Sequence, residues 1–236
     1  ISLTDDKVDH NFRIYIGRDK DARTLTVDDN GIGMTAEEME KNLGTIAQSG
    51  TLAFKKEQKD PTELIGQFGV GFYSAFMVAD EIEVVSRAYG SDKANKWTSR
   101  GAEGYTIEPA EKETVGTTIT LRLRPKDDDF DYDKLLEEYY LRSLIKKYSD
   151  YIRYPIQMLV TKSRVKDNPD KKEGDKDEYE SYTEIETINS MTPLWKKKKT
   201  EIKPEEYNEF YKAKFRDYTD PLRVMHFNIE GAVNYT

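Results

Sequence analysis

The sequence predicts an α+β fold: a mixed sheet with helices on one face, followed by the beginning of a second α/β unit. Three observations carry this. Residues 12–28, and several short stretches between 82 and 123, alternate apolar and polar side chains, the period of two that half-buried strands need. Residues 35–43 and 131–152 read as helices led by acidic residues. The composition breaks at 162–178, after which a short aromatic stretch and a further helix follow.

Taken in order, Phe12, Ile14 and Ile16 alternate, Arg18-Asp19-Lys20-Asp21 supplies a polar turn, and Leu25 and Val27 resume the alternation: a hairpin. Thr35 with Glu38 three residues on forms a capping box for a helix to about Leu43. Residues 44–64 are polar and glycine-containing and read as a long loop. A glycine cluster at 66–71 opens an apolar helix over 70–78. Strands are expected at Ile82-Val84, Trp97-Ser99, Gly104-Ile107 and Thr117-Leu123, then one long helix over 131–152 and a strand at 155–161. Residues 162–178 hold six basic and six acidic residues among seventeen, which reads as a charged, solvated linker. A helix near 204–214 and strands near 223–235 close the chain. The expected division is an N-terminal domain at 1–161, the linker at 162–178, and the start of a further domain at 179–236.

Composition excludes several function classes. Lys plus Arg number 37 against 45 Asp plus Glu, and the net charge of −8 disfavours a general nucleic-acid binder. No apolar run approaches the ~20 residues of a membrane span. The start, ISLTDDKVDH, lacks the basic and apolar regions of a signal peptide, so the expected location is cytoplasmic. With no cysteine, disulfide frameworks, thiolate catalysis and cysteine-held zinc are out. His10 and His226 stand at opposite ends, which argues against a multi-histidine metal site. The acids at Asp127–Asp131 suit a helix start without a metal, and Lys196–Lys199 reads as a solvated run. The chain opens without Met and stops abruptly at Asn234-Tyr235-Thr236, so it is expected to be an internal piece of a longer protein.

Four motifs could carry chemistry. Asp28-Asp29-Asn30-Gly31-Ile32-Gly33-Met34 stands at a strand end ahead of a helix; its glycines admit a close ligand, and a carboxylate beside them can accept from an amine such as that of adenine. Alone it is equally an ordinary turn. Gly66-Gln67-Phe68-Gly69-Val70-Gly71-Phe72 opens a helix, whose free amides suit phosphate. It is neither a Walker A loop nor a Rossmann fingerprint, and helix packing alone would explain it. Asn42 to Thr51 is a helix ending at glycine. Gly116-Thr117-Thr118 starts a strand.

Together the four point one way. Leu43 to Thr51, LGTIAQSGT, and Ile65 to Phe76, IGQFGVGFYSAF, closely resemble the 90-kDa heat-shock chaperone family, within the superfamily of gyrase, chaperone, histidine-kinase and MutL ATPases. The resemblance runs through the whole chain. The tail, Thr192-Pro193-Leu194-Trp195 and Glu205 to Tyr211, is similar to the start of that family's middle domain, and the short linker is similar to that of bacterial members.

The resemblance implies an ATP pocket on an α/β sandwich. Asp29 matches the acid that bonds the adenine amine, and Thr117 a hydroxyl working with it through water. Gly33 and Met34 match the pocket floor, Asn42 and Leu43 the ribose and phosphate side, and Gly69, Val70, Gly71 and Phe72 the phosphate-binding turn. Residues 44–66 match a lid that closes over ATP and drives dimer contact. Gln48 departs from the Lys that most members carry. The general-base Glu and the magnesium-ligating Asn of the family would lie upstream of Ile1, and the Arg that reaches the γ-phosphate beyond Thr236. No catalytic or metal-ligating residue is therefore assigned within this chain, and the piece by itself is expected not to hydrolyse ATP. The implied function is an ATP-dependent chaperone that binds ATP or ADP with Mg2+, dimerises and clamps client proteins, with neither nucleic acid nor membrane as partner. Two rivals remain: a nucleotide-free interaction module on the same scaffold, or another ATPase or kinase of the superfamily.

Overall fold

The structure is a computed structural model that describes residues 11–44, 71–166, 178–215 and 217–227. One eight-stranded sheet organises them. Its strands are β1 (Ile14–Asp19), β2 (Thr24–Asp29), β3 (Ala79–Arg87), β4 (Ala94–Ser99), β5 (Tyr105–Ala110), β6 (Gly116–Leu123), β7 (Ile156–Val165) and β8 (Tyr179–Thr187). Their order across the sheet is β5-β4-β3-β6-β2-β1-β7-β8. The β1–β7 pair is parallel and the others are antiparallel, so the sheet is mixed, as expected.

The core lies on one face of this sheet. Ile82, Val84, Trp97, Leu121, Leu123, Met158 and Val160 project from the strands. Against them pack Met39 and Leu43 of helix α1 (Ala36–Leu43), and Leu141 and Ile145 of helix α2 (Glu138–Tyr148). Trp97 is 1% exposed, with the ring of Phe72 edge-on at 5.5 Å and that of Tyr105 stacked at 5.9 Å. Trp97→Ala is expected to cost about 3–5 kcal/mol, measured as a drop in the denaturation midpoint.

Helix α1 forms where its capping signals place it. The Glu38 amide donates to Thr35 Oγ1 at 3.2 Å, and the Thr35 amide donates to the Glu38 carboxylate at 2.8 Å. The stretch after Gly71 is a short 3-10 helix, Phe72–Met77, rather than the expected helix over 70–78. Its closing bond is the tight one, from the Val78 amide to the Ala75 carbonyl.

The single helix expected over 131–152 is two elements. A 3-10 helix spans Tyr132–Leu136, Glu137 is extended, and α2 begins at Glu138. The break allows both apolar groups to reach the sheet: Tyr132, Leu135 and Leu136 before it, Leu141 and Ile145 after it. It is pinned by Glu138, whose carboxylate accepts from Arg18 at 2.9 Å and from the Thr161 amide at 3.1 Å. Tyr139 and Tyr148, expected on the apolar stripe, are 84% and 70% exposed.

The expected linker is also corrected at its start, because residues 162–165 continue β7. Their charges, which read as solvated, are cross-strand partners: Lys162 pairs with Glu184 at 2.5 Å and Arg164 with Glu180 at 2.6 Å. β8 pairs with β7 from Gln157↔Thr187 to Val165↔Tyr179, so residues 179–187 extend the same sheet. Residues 167–177 lie outside the described residues. Helix α3 (Pro204–Phe215) follows near its expected place. Of the strands expected near 223–235, residues 223–227 are not strand, and the remainder lies outside the described residues.

Glu186 ties α2 to the sheet edge. Its carboxylate accepts from Arg142 at 2.7 Å and faces Lys162 at 3.0 Å. These two cations pull the Glu186 carboxyl down to about 2. A depressed native value means that the stabilisation is complete above the ordinary glutamate range and is lost as pH falls from there toward 2. Glu186→Gln is expected to cost about 1 kcal/mol at neutral pH and low salt. It should also remove that acid slope in melts run from pH 2 to 6.

Candidate functional site

Three strand ends meet at one corner of the sheet. Asp29 closes β2, Thr117 opens β6 beside it, and Ser86 of β3 lies across from Thr117. The register therefore places Asp29, Thr117 and Ser86 in one row on the helix-covered face. The loop from Asn30 to Thr35 folds back across this row and leads into α1.

Two glycines make that fold-back possible. Gly33 has φ +64°, and a Cβ there would stand 1.9 Å from the Arg87 carbonyl oxygen. Gly116 has φ +126°, and a Cβ there would stand 2.1 Å from the Asp29 carbonyl oxygen. Backbone thus touches backbone, which only glycine permits. The loop is held by the Tyr89 amide donating to the Ile32 carbonyl at 2.7 Å and by the Met34 amide donating to Ser86 Oγ at 2.8 Å.

Asp29 is the chemical centre. Its carboxylate accepts from the Gly31 amide at 2.9 Å and from the Thr117 amide. Burial raises its carboxyl above the ordinary range, the neighbouring Asp28 adds to the rise, and the two amides and Lys112 partly offset it. Asp29 makes no ion pair among the described residues, and its carboxylate keeps capacity to accept from a neutral donor. Asp28 points to the other side, where Thr118 donates to it at 2.5 Å and Lys112 lies at 3.3 Å.

The other candidate positions fall differently. Asn42 is half-buried on the last turn of α1, while the Leu43 side chain belongs to the core. The Leu43 carbonyl accepts from the Tyr73 hydroxyl at 2.8 Å, which ties α1 to the 3-10 helix after Gly71. Gly71 is exposed, with open space where a Cβ would be. The Phe72 ring packs against Trp97. Gly69, Val70 and the expected lid at 45–66 lie outside the described residues. Among the described residues no group of three or more His, Asp or Glu could hold a metal ion.

Ser86 was not among the sequence candidates. Its signal was present: Ile82 and Val84 face the core, and Ser86 is the next residue of that face, a hydroxyl in an apolar alternation.

Comparison with known proteins fits this geometry. The family model described as histidine kinase-, DNA gyrase B- and HSP90-like ATPase matches residues 9–119, and the one described as Hsp90 protein matches residues 164–236. The chaperone protein HtpG of Shouchella clausii is 53% identical over 239 residues, covering 99% of this chain. The chain belongs to the Hsp90 family. Further Hsp90-family relatives are the HtpG chaperones of Clostridium perfringens, 54% identical, and Bacillus subtilis, 52% identical, each again over 99% of this chain. The chain spans 37% of the length of these relatives. The ATPase-type match includes the whole row of Asp29, Ser86 and Thr117.

Proposed function

We propose that this chain is the nucleotide-binding part of an ATP-dependent molecular chaperone, together with the beginning of the domain that follows. The observation that carries the reading is Asp29: a half-buried acceptor at a corner where glycines bring three strand ends together. A partly desolvated carboxylate held above its usual range is suited to a neutral donor, and the exocyclic amine of adenine is one. Thr117 stands beside it, and Gly33 and Met34 form the floor. Asn42 and the backbone of Leu43 lie on the ribose and phosphate side. The backbone amides of Gly69, Val70, Gly71 and Phe72 receive the phosphates.

The division of labour follows the family resemblance. Mg2+ accompanies the nucleotide phosphates. The base that activates water and the Asn that holds the metal belong to a preceding helix, and the cation for the γ-phosphate to the middle domain. This stretch alone binds and orients, and does not turn ATP over. Residues 1–161 act as the ATP-binding unit, with 179–236 entering the middle domain although β8 still belongs to the same sheet. Lid closure over ATP drives dimer clamping on unfolded client proteins in the cytoplasm, without nucleic acid or membrane as partner.

The test is turnover of magnesium-ATP by the intact protein, run beside suppression of aggregation of a thermally unfolding client. Both are expected, and Asp29→Asn should abolish the first. Client protection that neither ATP nor Asp29→Asn alters would favour a nucleotide-free interaction module.

A further inference from the structure

At the inner end of the row of strand ends sits a hydroxyl that cannot touch a ligand. Ser86 is fully buried. Its Oγ accepts from the Met34 amide at 2.8 Å, lies 3.1 Å from the Gly116 carbonyl oxygen, and lies 2.9 Å from Thr117 Oγ1. A serine hydroxyl has one hydrogen and two lone pairs. The Met34 N–H occupies one lone pair. A carbonyl only accepts, so the bond to Gly116 must use the serine hydrogen. The remaining contact is then made by Thr117 donating its hydrogen to the second Ser86 lone pair. This is the one arrangement that makes all three bonds at once, and buried polar groups are made to bond as fully as geometry allows.

The consequence falls on Thr117. With its hydrogen turned back into the sheet, Thr117 Oγ1 offers lone pairs to whatever lies in front of it. Asp29, its cross-strand neighbour, also only accepts when ionised. Both side chains then present acceptors at this corner.

We propose that Ser86 is a positioning residue that sets the hydrogen-bond polarity of Thr117 and through it selects adenine over hypoxanthine nucleotides. This rests on the reading of the corner as an adenine-nucleotide site. Adenine presents an amine there, directly or through a water that it orients; hypoxanthine presents a carbonyl. A pair of acceptors welcomes the first and leaves the second unpaired. A hydroxyl free to rotate serves either.

The test is calorimetric binding of ADP and of inosine diphosphate to the intact protein. Ser86→Ala releases the Thr117 hydroxyl, and the preference for ADP over inosine diphosphate should fall about tenfold. The ratio is the readout because the Met34 amide also loses its acceptor, and that disturbance of the floor affects both ligands alike. Ser86→Cys, close in volume and a weaker hydrogen-bonding group, should give an intermediate ratio and covers the case of a poorly folded alanine variant. In a Thr117→Val background, Ser86→Ala should produce no further change in the ratio. An unchanged ratio in folded Ser86 variants would overturn the proposal, as would an equal drop in the Thr117→Val background. In either case ADP binding itself would stand. A folded wild-type protein that binds neither nucleotide would overturn the site and this inference together.

Discussion

Stability and ADP affinity are expected to respond to the titration of Asp29 in opposite directions with pH, and Asp29→Asn should remove its contribution to both. Burial raises the Asp29 carboxyl, so the native chain holds this proton to higher pH than the unfolded chain does. Between the ordinary aspartate range and the raised native value, the unfolded state binds fewer protons. Stability therefore falls as pH rises through that window and is flat above it. Nucleotide affinity rises through the same window, because the adenine amine donates to the ionised form. Other carboxylates titrate nearby, Glu186 with the opposite sign, so the quantity to follow is the difference between wild type and Asp29→Asn. The substituted amide keeps one acceptor but turns an N–H toward the amine or toward the Gly31 and Thr117 amides. Loss of one charge-assisted bond predicts ADP binding weaker by about 10- to 100-fold. Melting curves with and without ADP from pH 4 to 8 check both halves.

Gly33→Ala is expected to dismantle the site while leaving the sheet folded. Two costs add at this position. The left-handed backbone, φ +64°, costs a non-glycine residue about 1–2 kcal/mol. The new methyl would then meet the Arg87 carbonyl oxygen at 1.9 Å, and backbone on both sides cannot yield as a side chain tip could. The loop must lift off β3, which separates the Met34 amide from Ser86 and the Ile32 carbonyl from Tyr89. ADP binding should disappear, with a stability loss of about 2 kcal/mol or more. Gly90→Ala is the control. Its φ is +77°, but nothing lies within 4 Å of the added carbon, so it carries the conformational cost alone and ADP binding should survive. A Gly33→Ala protein that binds ADP like wild type would show that the close approach does not shape the pocket.

What could be read without coordinates was local. The β1–β2 hairpin is written in the alternation of Ile14, Ile16, Leu25 and Val27, and the start of α1 in Thr35 and Glu38. Both signals lie within a few residues of the structure they specify. The break at Glu137 was not legible, since it depends on Arg18 and Thr161 reaching Glu138 from distant strands. Charge misled at 162–165 for a related reason: Lys162 and Arg164 look solvated until Glu184 and Glu180 arrive opposite them. The parallel β1–β7 pair joins segments more than a hundred residues apart and leaves no local mark. In the site, Asp29, Gly33 and Thr117 stood out by their motifs. Leu43 and Phe72 carried motif signals too, yet their side chains serve the core. Ser86 carried only a quiet one, a polar residue in a core-facing position.

The most direct test of the account is a calorimetric titration of ADP with magnesium into the intact protein and into its Asp29→Asn variant, both shown to be folded. The account predicts saturable binding at one site per chain in the wild type and binding weaker by about 10- to 100-fold in the variant. Heat of binding unchanged in Asp29→Asn, or no binding by the folded wild type, would contradict it.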